Sequence, residues 1–204
     1  MKTKIERFTV GLILAPILPL AGFMLFWWLT YTLLPERWMP FGTVAGLLLG
    51  ILAAFFLIRR RLARLDRLGI LFWIAVFLFY TVGVFGMFMG VPVFNLGLAI
   101  PAGFVVGSRL ARAAANPTRV RTATLRTALF TTLVLALVCI ASAFFALSSS
   151  STAADLEGML GLGFEVTPAM IWGLILTGGA GLLAVNWALT ALSVRLTVHF
   201  LGRP

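Results

Sequence analysis

The sequence predicts an all-α polytopic membrane protein, a bundle of six transmembrane helices with both termini on the cytoplasmic side. Of its 204 residues, 61% are hydrophobic and only 11% are charged, against roughly 45–50% and 25% in an ordinary soluble domain. Because one crossing needs about 20 consecutive apolar residues, this length holds six or seven crossings joined by short loops. We therefore expect residues 1–204 to form a single transmembrane domain without a separate water-soluble domain.

Six apolar runs separated by charges or turn residues give the helices in order. The first follows Lys2, Lys4 and Arg7 and, at about 27 residues, is too long for a removable signal peptide. Gly90-Val91-Pro92 separates the third run from the fourth, since proline cannot continue the preceding helix. A re-entrant fourth segment is an alternative, although Arg109 and Arg112 favour a full return. The predicted spans are about 8–34, 39–58, 69–89, 92–108, 127–147 and 169–194.

Positive charge sets the expected orientation. Fifteen of the 16 Lys and Arg residues fall at the N-terminus, in the 59–68 loop, in a basic loop at 109–126 or at the C-terminus, and only Arg37 falls on the other side. This asymmetry predicts a protein of a bacterial-type cytoplasmic (inner) membrane with N-in/C-in topology. The outer loop is then 148–168, where a short amphipathic helix is expected.

The net charge of +10 is explained by this topology, so we expect the lipid bilayer as partner and no nucleic acid. Arginines near the cytoplasmic surface attract anionic lipid headgroups, each contributing about 1 kcal/mol, or contact another protein. The residues predicted for this role are Arg60, Arg64, Arg112 and Arg119.

The sequence argues against several kinds of chemistry. No Asp, Glu, Lys, Arg or His lies in the middle of a predicted span, where proton- or cation-coupled transporters need ionisable groups. His199 and Cys139 are each the sole residue of their type, too few for a zinc or haem site built from His and Cys. We expect neither an enzyme nor a resident cofactor or metal.

Neutral polar residues give the candidate solute site. In the sixth span, Gly179, Asn186, Thr190, Ser193 and Thr197 follow one another at intervals of seven, four, three and four, which places them on one helical face. The fourth span contains Asn95 and is interrupted by Pro92 and Pro101, and interrupted helices often line transporter sites. Hydrogen bonding between helices is the alternative explanation. The predicted lining residues are Asn95, Asn186, Thr190 and Ser193.

Glycines at four-residue spacing predict faces where helix backbones approach closely. The second and fourth spans carry them, and the face either packs within the bundle or receives a membrane-protein partner or a second copy of the chain. These residues are Gly42, Gly46, Gly50, Gly103 and Gly107.

Two functions follow from these features. The first is a small carrier or channel for a neutral, zwitterionic or apolar solute. The second is a non-catalytic membrane subunit of a larger complex. In size, in its six helices and in its lack of an ATPase, the chain resembles the substrate-binding S-components of energy-coupling factor transporters. Gly11 and Ala15 have the four-residue spacing of small residues in the first helix, and the resemblance implies docking onto a coupling subunit.

Overall fold

The computed structural model describes residues 2–62, 69–88, 90–161 and 163–202. All regular structure in these residues is helical, and six stretches are long and apolar enough to cross a membrane, which confirms the predicted class. The α-helices are α1 (Lys2–Leu14), α2 (Ile17–Leu33), α3 (Met39–Leu62), α4 (Ile70–Met87), α5 (Ala99–Arg112), α6 (Pro117–Ser148), α7 (Thr152–Leu160) and α8 (Pro168–Gly202), and 3-10 turns form at Glu36–Trp38 and Pro92–Leu98.

The chain divides into two compact units, Met1–Val76 and Phe77–Pro204. In the first unit α2 packs along α3 at glycine contacts. A Cβ built on Gly46 would lie 2.5 Å from Phe26 Cβ, and one on Gly50 would lie 2.6 Å from Pro19 Cα. Side chains at these positions would separate the helices, so glycine sets their close approach.

The first predicted span, 8–34, is two helices rather than one. α1 ends at Leu14 and α2 begins at Ile17. Pro16 lies between them and has no N–H with which to continue the hydrogen bonding of α1. Its carbonyl accepts from Leu20 N at 2.9 Å, so the chain resumes a helix at once.

In the second unit, α5, α6 and α8 pack against one another. Their contact is built from small and β-branched side chains: Ala99, Ala128 and Val194 are fully buried. The fourth span begins as the 3-10 segment Pro92–Leu98 and becomes α-helical only at Ala99. A 3-10 segment of seven residues exceeds the usual three or four and marks this half of the span as irregular.

The predicted cytoplasmic loop 109–126 is mostly helical. α5 continues to Arg112 and α6 begins at Pro117, so only residues 113–116 connect them. α6 begins there because the Asn116 side chain accepts from Arg119 N at 2.8 Å, a standard N-cap with proline in the first turn.

The predicted outer loop 148–168 contains the nine-residue helix α7. A carboxylate on this helix ties the following segment to it, because Glu157 Oε1 accepts from Val166 N at 2.6 Å. At the start of α7, Thr152 Oγ1 donates to the carbonyl of Ala146 at 2.6 Å. The connection between α6 and α8 therefore includes a helix, and Glu157 ties Val166 to that helix.

Candidate functional site

The polar stripe of α8, which runs from Asn186 through Thr190 and Ser193 to Thr197, lies against α5 and α6. Asn186 is buried, and its Nδ2 donates to Thr131 Oγ1 at 3.3 Å and to Thr132 Oγ1 at 3.2 Å. One amide group thus uses both of its N–H bonds on two consecutive threonines of α6. This contact fixes the rotation of α8 relative to α6.

A buried hydroxyl pair continues the contact one turn further along α8. Thr190 Oγ1 and Thr131 Oγ1 are 2.9 Å apart, and both side chains are essentially inaccessible to solvent. Thr131 has one hydroxyl proton, which it donates to the Ala128 carbonyl at 3.2 Å. Thr190 then donates to Thr131, and Thr131 accepts from both Thr190 and Asn186.

The next two residues of the stripe contact α5. Ser193 Oγ donates to the carbonyl of Ile100 at 2.8 Å. A Cβ built on Gly103 would lie 2.6 Å from Ser193 Cβ, and one on Gly107 would lie 2.6 Å from Thr197 Cβ. The glycines of α5 therefore receive the small polar side chains of α8.

This cluster of Thr131, Thr132, Asn186, Thr190 and Ser193, here called the threonine–asparagine seam, is neutral. Its hydrogen bonds join α5, α6 and α8, and each such bond within a membrane contributes about 0.6–2 kcal/mol. No member titrates near neutral pH, so the seam supplies hydrogen bonds without a charge or a transferable proton. Its chemistry suits the positioning of helices and contact with uncharged groups.

Asn95 lies in the 3-10 segment and contacts a different helix. Its Nδ2 donates to the carbonyl of Thr81 on α4 at 3.1 Å, and the side chain is 5% exposed. Its Oδ1 is buried and has no hydrogen-bond partner among the described residues. A buried acceptor left in this state costs about 1–3 kcal/mol. The structure thus joins Asn186, Thr190 and Ser193 to the seam, and it bonds Asn95 to α4.

The aromatic side chains around the turn before Asn95 hold this irregular segment. Phe88 and Phe94 are stacked with their ring centroids 4.0 Å apart. Gly90 has φ +79°, a conformation that favours glycine, and Val91 N donates to the Phe88 carbonyl at 3.0 Å. The turn and the stacked rings together place Asn95 beside α4.

The remaining predicted residues are distributed as follows. Gly42, Gly46 and Gly50 face α2 of the same chain: a Cβ on Gly42 would meet the Thr30 side chain. Arg112 is exposed at the end of α5, and Arg119 is exposed in the first turn of α6. The Arg60 side chain and the whole of Arg64 lie outside the described residues.

Sequence reasoning did not identify Thr131, Thr132 or Thr81 as the partners of the candidate residues. Thr131 and Thr132 lie 55 and 54 positions from Asn186, and Thr81 lies 14 positions from Asn95. A weak signal existed, because Thr124 and Thr131 are seven residues apart on one face of α6 and both are buried. Identifying that face as the partner of α8 requires knowing which helices are neighbours.

Comparison with protein-family models, with curated proteins and with solved structures found no match for this chain. Within the described residues, no group of three or more His, Cys, Asp or Glu side chains is arranged to hold a metal ion.

Proposed function

We propose that the chain is a small integral membrane carrier or channel for a solute without net charge. One observation carries the proposal: the fourth span is irregular over Pro92–Leu98 and holds a buried amide whose carbonyl oxygen has no partner among the described residues. Irregular backbone at membrane depth is tolerated where it is buried in protein or lines a cavity. Broken helices recur at transporter binding sites for the same reason.

The charge distribution supports an uncharged solute. The middle of every predicted span lacks Asp, Glu, Lys, Arg and His, so no charged side chain there would balance a bound ion. In this proposal Asn95 contacts the solute. Asn186, Thr190 and Ser193 belong to the wall beside it, where they also hold α8 against α5 and α6. The proposal assigns no enzymatic step and no cofactor to the chain.

The proposed placement is a bacterial-type cytoplasmic membrane with both termini inside. The arginines of α5, α6 and α8 then lie at the inner surface, where anionic headgroups attract them. Exposed Arg112 and Arg119 are proposed lipid contacts on this side, and the same role is proposed for Arg60 and Arg64.

The test is purification of the protein from its native membrane in nanodiscs, with mass spectrometry of every co-purifying protein and small molecule. A carrier is expected to arrive without a stoichiometric protein partner and with a reproducible uncharged molecule. That molecule should then enter proteoliposomes containing the protein faster than it enters protein-free liposomes. Equal uptake in the two preparations would exclude transport.

A second function, a non-catalytic membrane subunit resembling an S-component, is favoured by one observation on α8. A Cβ built on Gly173, Gly179 or Gly181 would meet no heavy atom within 4 Å. Packing inside the chain therefore does not require a glycine at these three positions. Small residues on membrane helices commonly receive another helix. In this alternative, an ATPase or a further membrane subunit co-purifies stoichiometrically, and bulky substitutions at Gly173 and Gly181 release it.

A further inference from the structure

The inference concerns the side chain of Asn95 and rests on the proposed transport function. This residue is 95% buried, since its exposed fraction is 5%. The Thr81 carbonyl can only accept hydrogen bonds, so the atom of Asn95 that lies 3.1 Å from it must be the nitrogen. A flipped amide would bring two acceptor oxygens together. The orientation of the amide is thereby fixed, and Oδ1 is the atom left without a partner among the described residues.

An acceptor in this position lacks the donor that buried polar groups normally have. The described neighbours supply none: Oδ1 has no hydrogen-bond partner there. The nearby hydroxyl of Thr81 is also committed elsewhere, since it donates to the Phe77 carbonyl at 2.9 Å. The remaining donors are those of molecules that enter the site, a solute or water.

We propose that Asn95 Oδ1 accepts a hydrogen bond from an N–H or O–H group of the bound solute. This assignment narrows the solute class to molecules that have no net charge and carry at least one such donor. It excludes purely apolar solutes, which would leave the oxygen unsatisfied in the bound state as well. Asn95 is the recognition residue, and the Thr81 carbonyl is the group that orients it.

Three variants separate recognition from packing. Asn95→Leu has nearly the same size but no acceptor. Asn95→Asp, in its protonated form, keeps a donor for the Thr81 carbonyl and an acceptor for the solute. Thr124→Val is the control, because it removes a buried hydroxyl that donates within its own helix, to the Val120 carbonyl at 2.8 Å, and lies outside the proposed site. Thermal unfolding of each purified variant in nanodiscs first establishes that it folds.

The measurement is the molar ratio of each co-purified small molecule to protein, by mass spectrometry of solvent extracts. We expect wild type, Thr124→Val and Asn95→Asp to retain a molecule that has no net charge and carries an N–H or O–H group. Asn95→Leu should retain it at least tenfold less. If Asn95→Leu does not fold, Asn95→Ala replaces it with the same expectation.

Three outcomes would overturn the inference. The first is equal retention by Asn95→Leu, and the second is retention of a molecule that has no N–H or O–H group. The third is a wild-type preparation that retains no molecule, in which case a water molecule donates to Oδ1.

Failure of the proposed function is a different result. A donor-bearing molecule lost in Asn95→Leu but not transported into proteoliposomes supports the recognition role and rejects transport. A molecule that Asn95→Leu transports as well as wild type supports transport and rejects the recognition role of Asn95.

Discussion

At the scale of single residues, the polar groups of the candidate site are of two kinds. Those of the seam have partners on neighbouring helices, whereas Asn95 Oδ1 has none among the described residues. A satisfied buried network makes one helix arrangement more favourable than its alternatives. An unsatisfied acceptor favours whatever donor reaches it. The seam is therefore expected to govern stability, and Asn95 is expected to govern binding.

Thr190→Val should lower the free energy of unfolding by about 0.6–2 kcal/mol, because valine keeps the shape of threonine and removes the bond to Thr131. Thr131→Val should cost more, since Thr131 also accepts from Asn186. The two changes share one bond, so the loss in the double variant should be smaller than the sum of the single losses. Unfolding in mixed micelles, followed by circular dichroism, measures all three.

The control for this cycle is Thr177→Val. Thr177 is exposed on α8, and its hydroxyl donates only within its own helix, to the Gly173 carbonyl at 2.7 Å. We expect a change within about 0.5 kcal/mol. If Thr190→Val were as mild as Thr177→Val and the cycle were strictly additive, the hydroxyl pair would contribute nothing to stability.

At the scale of helices, the sequence located the six spans. The starts of α3 and α8 lie within one residue of the predicted starts, whereas α6 begins ten residues before its predicted start. Apolar runs mark the residues that the hydrocarbon core contacts, so the six crossings could be predicted. Helix ends depend instead on caps and prolines. α6 begins at Pro117, after the cap at Asn116, and therefore includes charged Arg119 in its first turn. In contrast, Pro16 separates two helices within a run that has no charged residue near it.

The candidate site shows the same division between local and non-local information. Residue spacing was sufficient to place Asn186, Thr190 and Ser193 on one face of a helix. It did not reveal that this face meets Thr131 and the glycines of α5. Such contacts depend on which helices are neighbours. The apolar pattern that identifies a span does not say which other helix packs against it.

The α5–α8 contact predicts opposite effects for two glycine substitutions. A Cβ at Gly107 would lie 2.6 Å from Thr197 Cβ and 2.9 Å from the Val194 carbonyl, whereas one at Gly181 would meet nothing within 4 Å. Gly107→Ala should therefore destabilise the protein by about 1–3 kcal/mol through overpacking. Gly181→Ala should be neutral or stabilising by up to about 1 kcal/mol, from helix propensity alone. The same unfolding assay compares them, and similar values for the two would contradict this packing.

The cap of α6 makes a second prediction at this scale. Asn116→Ala removes the acceptor for Arg119 N and should cost about 1 kcal/mol. The effect should be local, with faster hydrogen exchange in the first turn of α6 and unchanged exchange around Thr131. Asn116→Ser supplies another capping oxygen and should restore protection. Unchanged exchange in Asn116→Ala would show that α6 does not depend on this cap.

At the scale of the molecule, the second unit separates its charges along its length. α6 has 32 residues, so at 1.5 Å per residue it is about 48 Å long, against about 30 Å for the hydrocarbon core. Arg119, Arg121 and Arg126 lie in its first third, and the acids Asp155, Glu157 and Glu165 all follow its other end. In the proposed membrane placement, the extra length would carry the arginines beyond the hydrocarbon on a helix rather than on a loop.

This separation predicts which end of α6 is cytoplasmic, and cysteine labelling in intact cells tests it. In a Cys139→Ala background, Ser150→Cys should react with a membrane-impermeant maleimide from outside. Thr118→Cys should react only after the membrane is permeabilised. Both positions are exposed, so a difference in reactivity reports the side of the membrane and not burial.

Arginines retained inside determine the orientation of a membrane protein, and acids contribute little. Substituting Gln for Arg119 and Arg121 should therefore weaken the preference for one orientation, whereas neutralising Asp155 and Glu157 should not. Labelling of Thr118→Cys in sealed cells, with Ser150→Cys protected, would reverse the proposed topology and place the arginines of α6 on the outer surface.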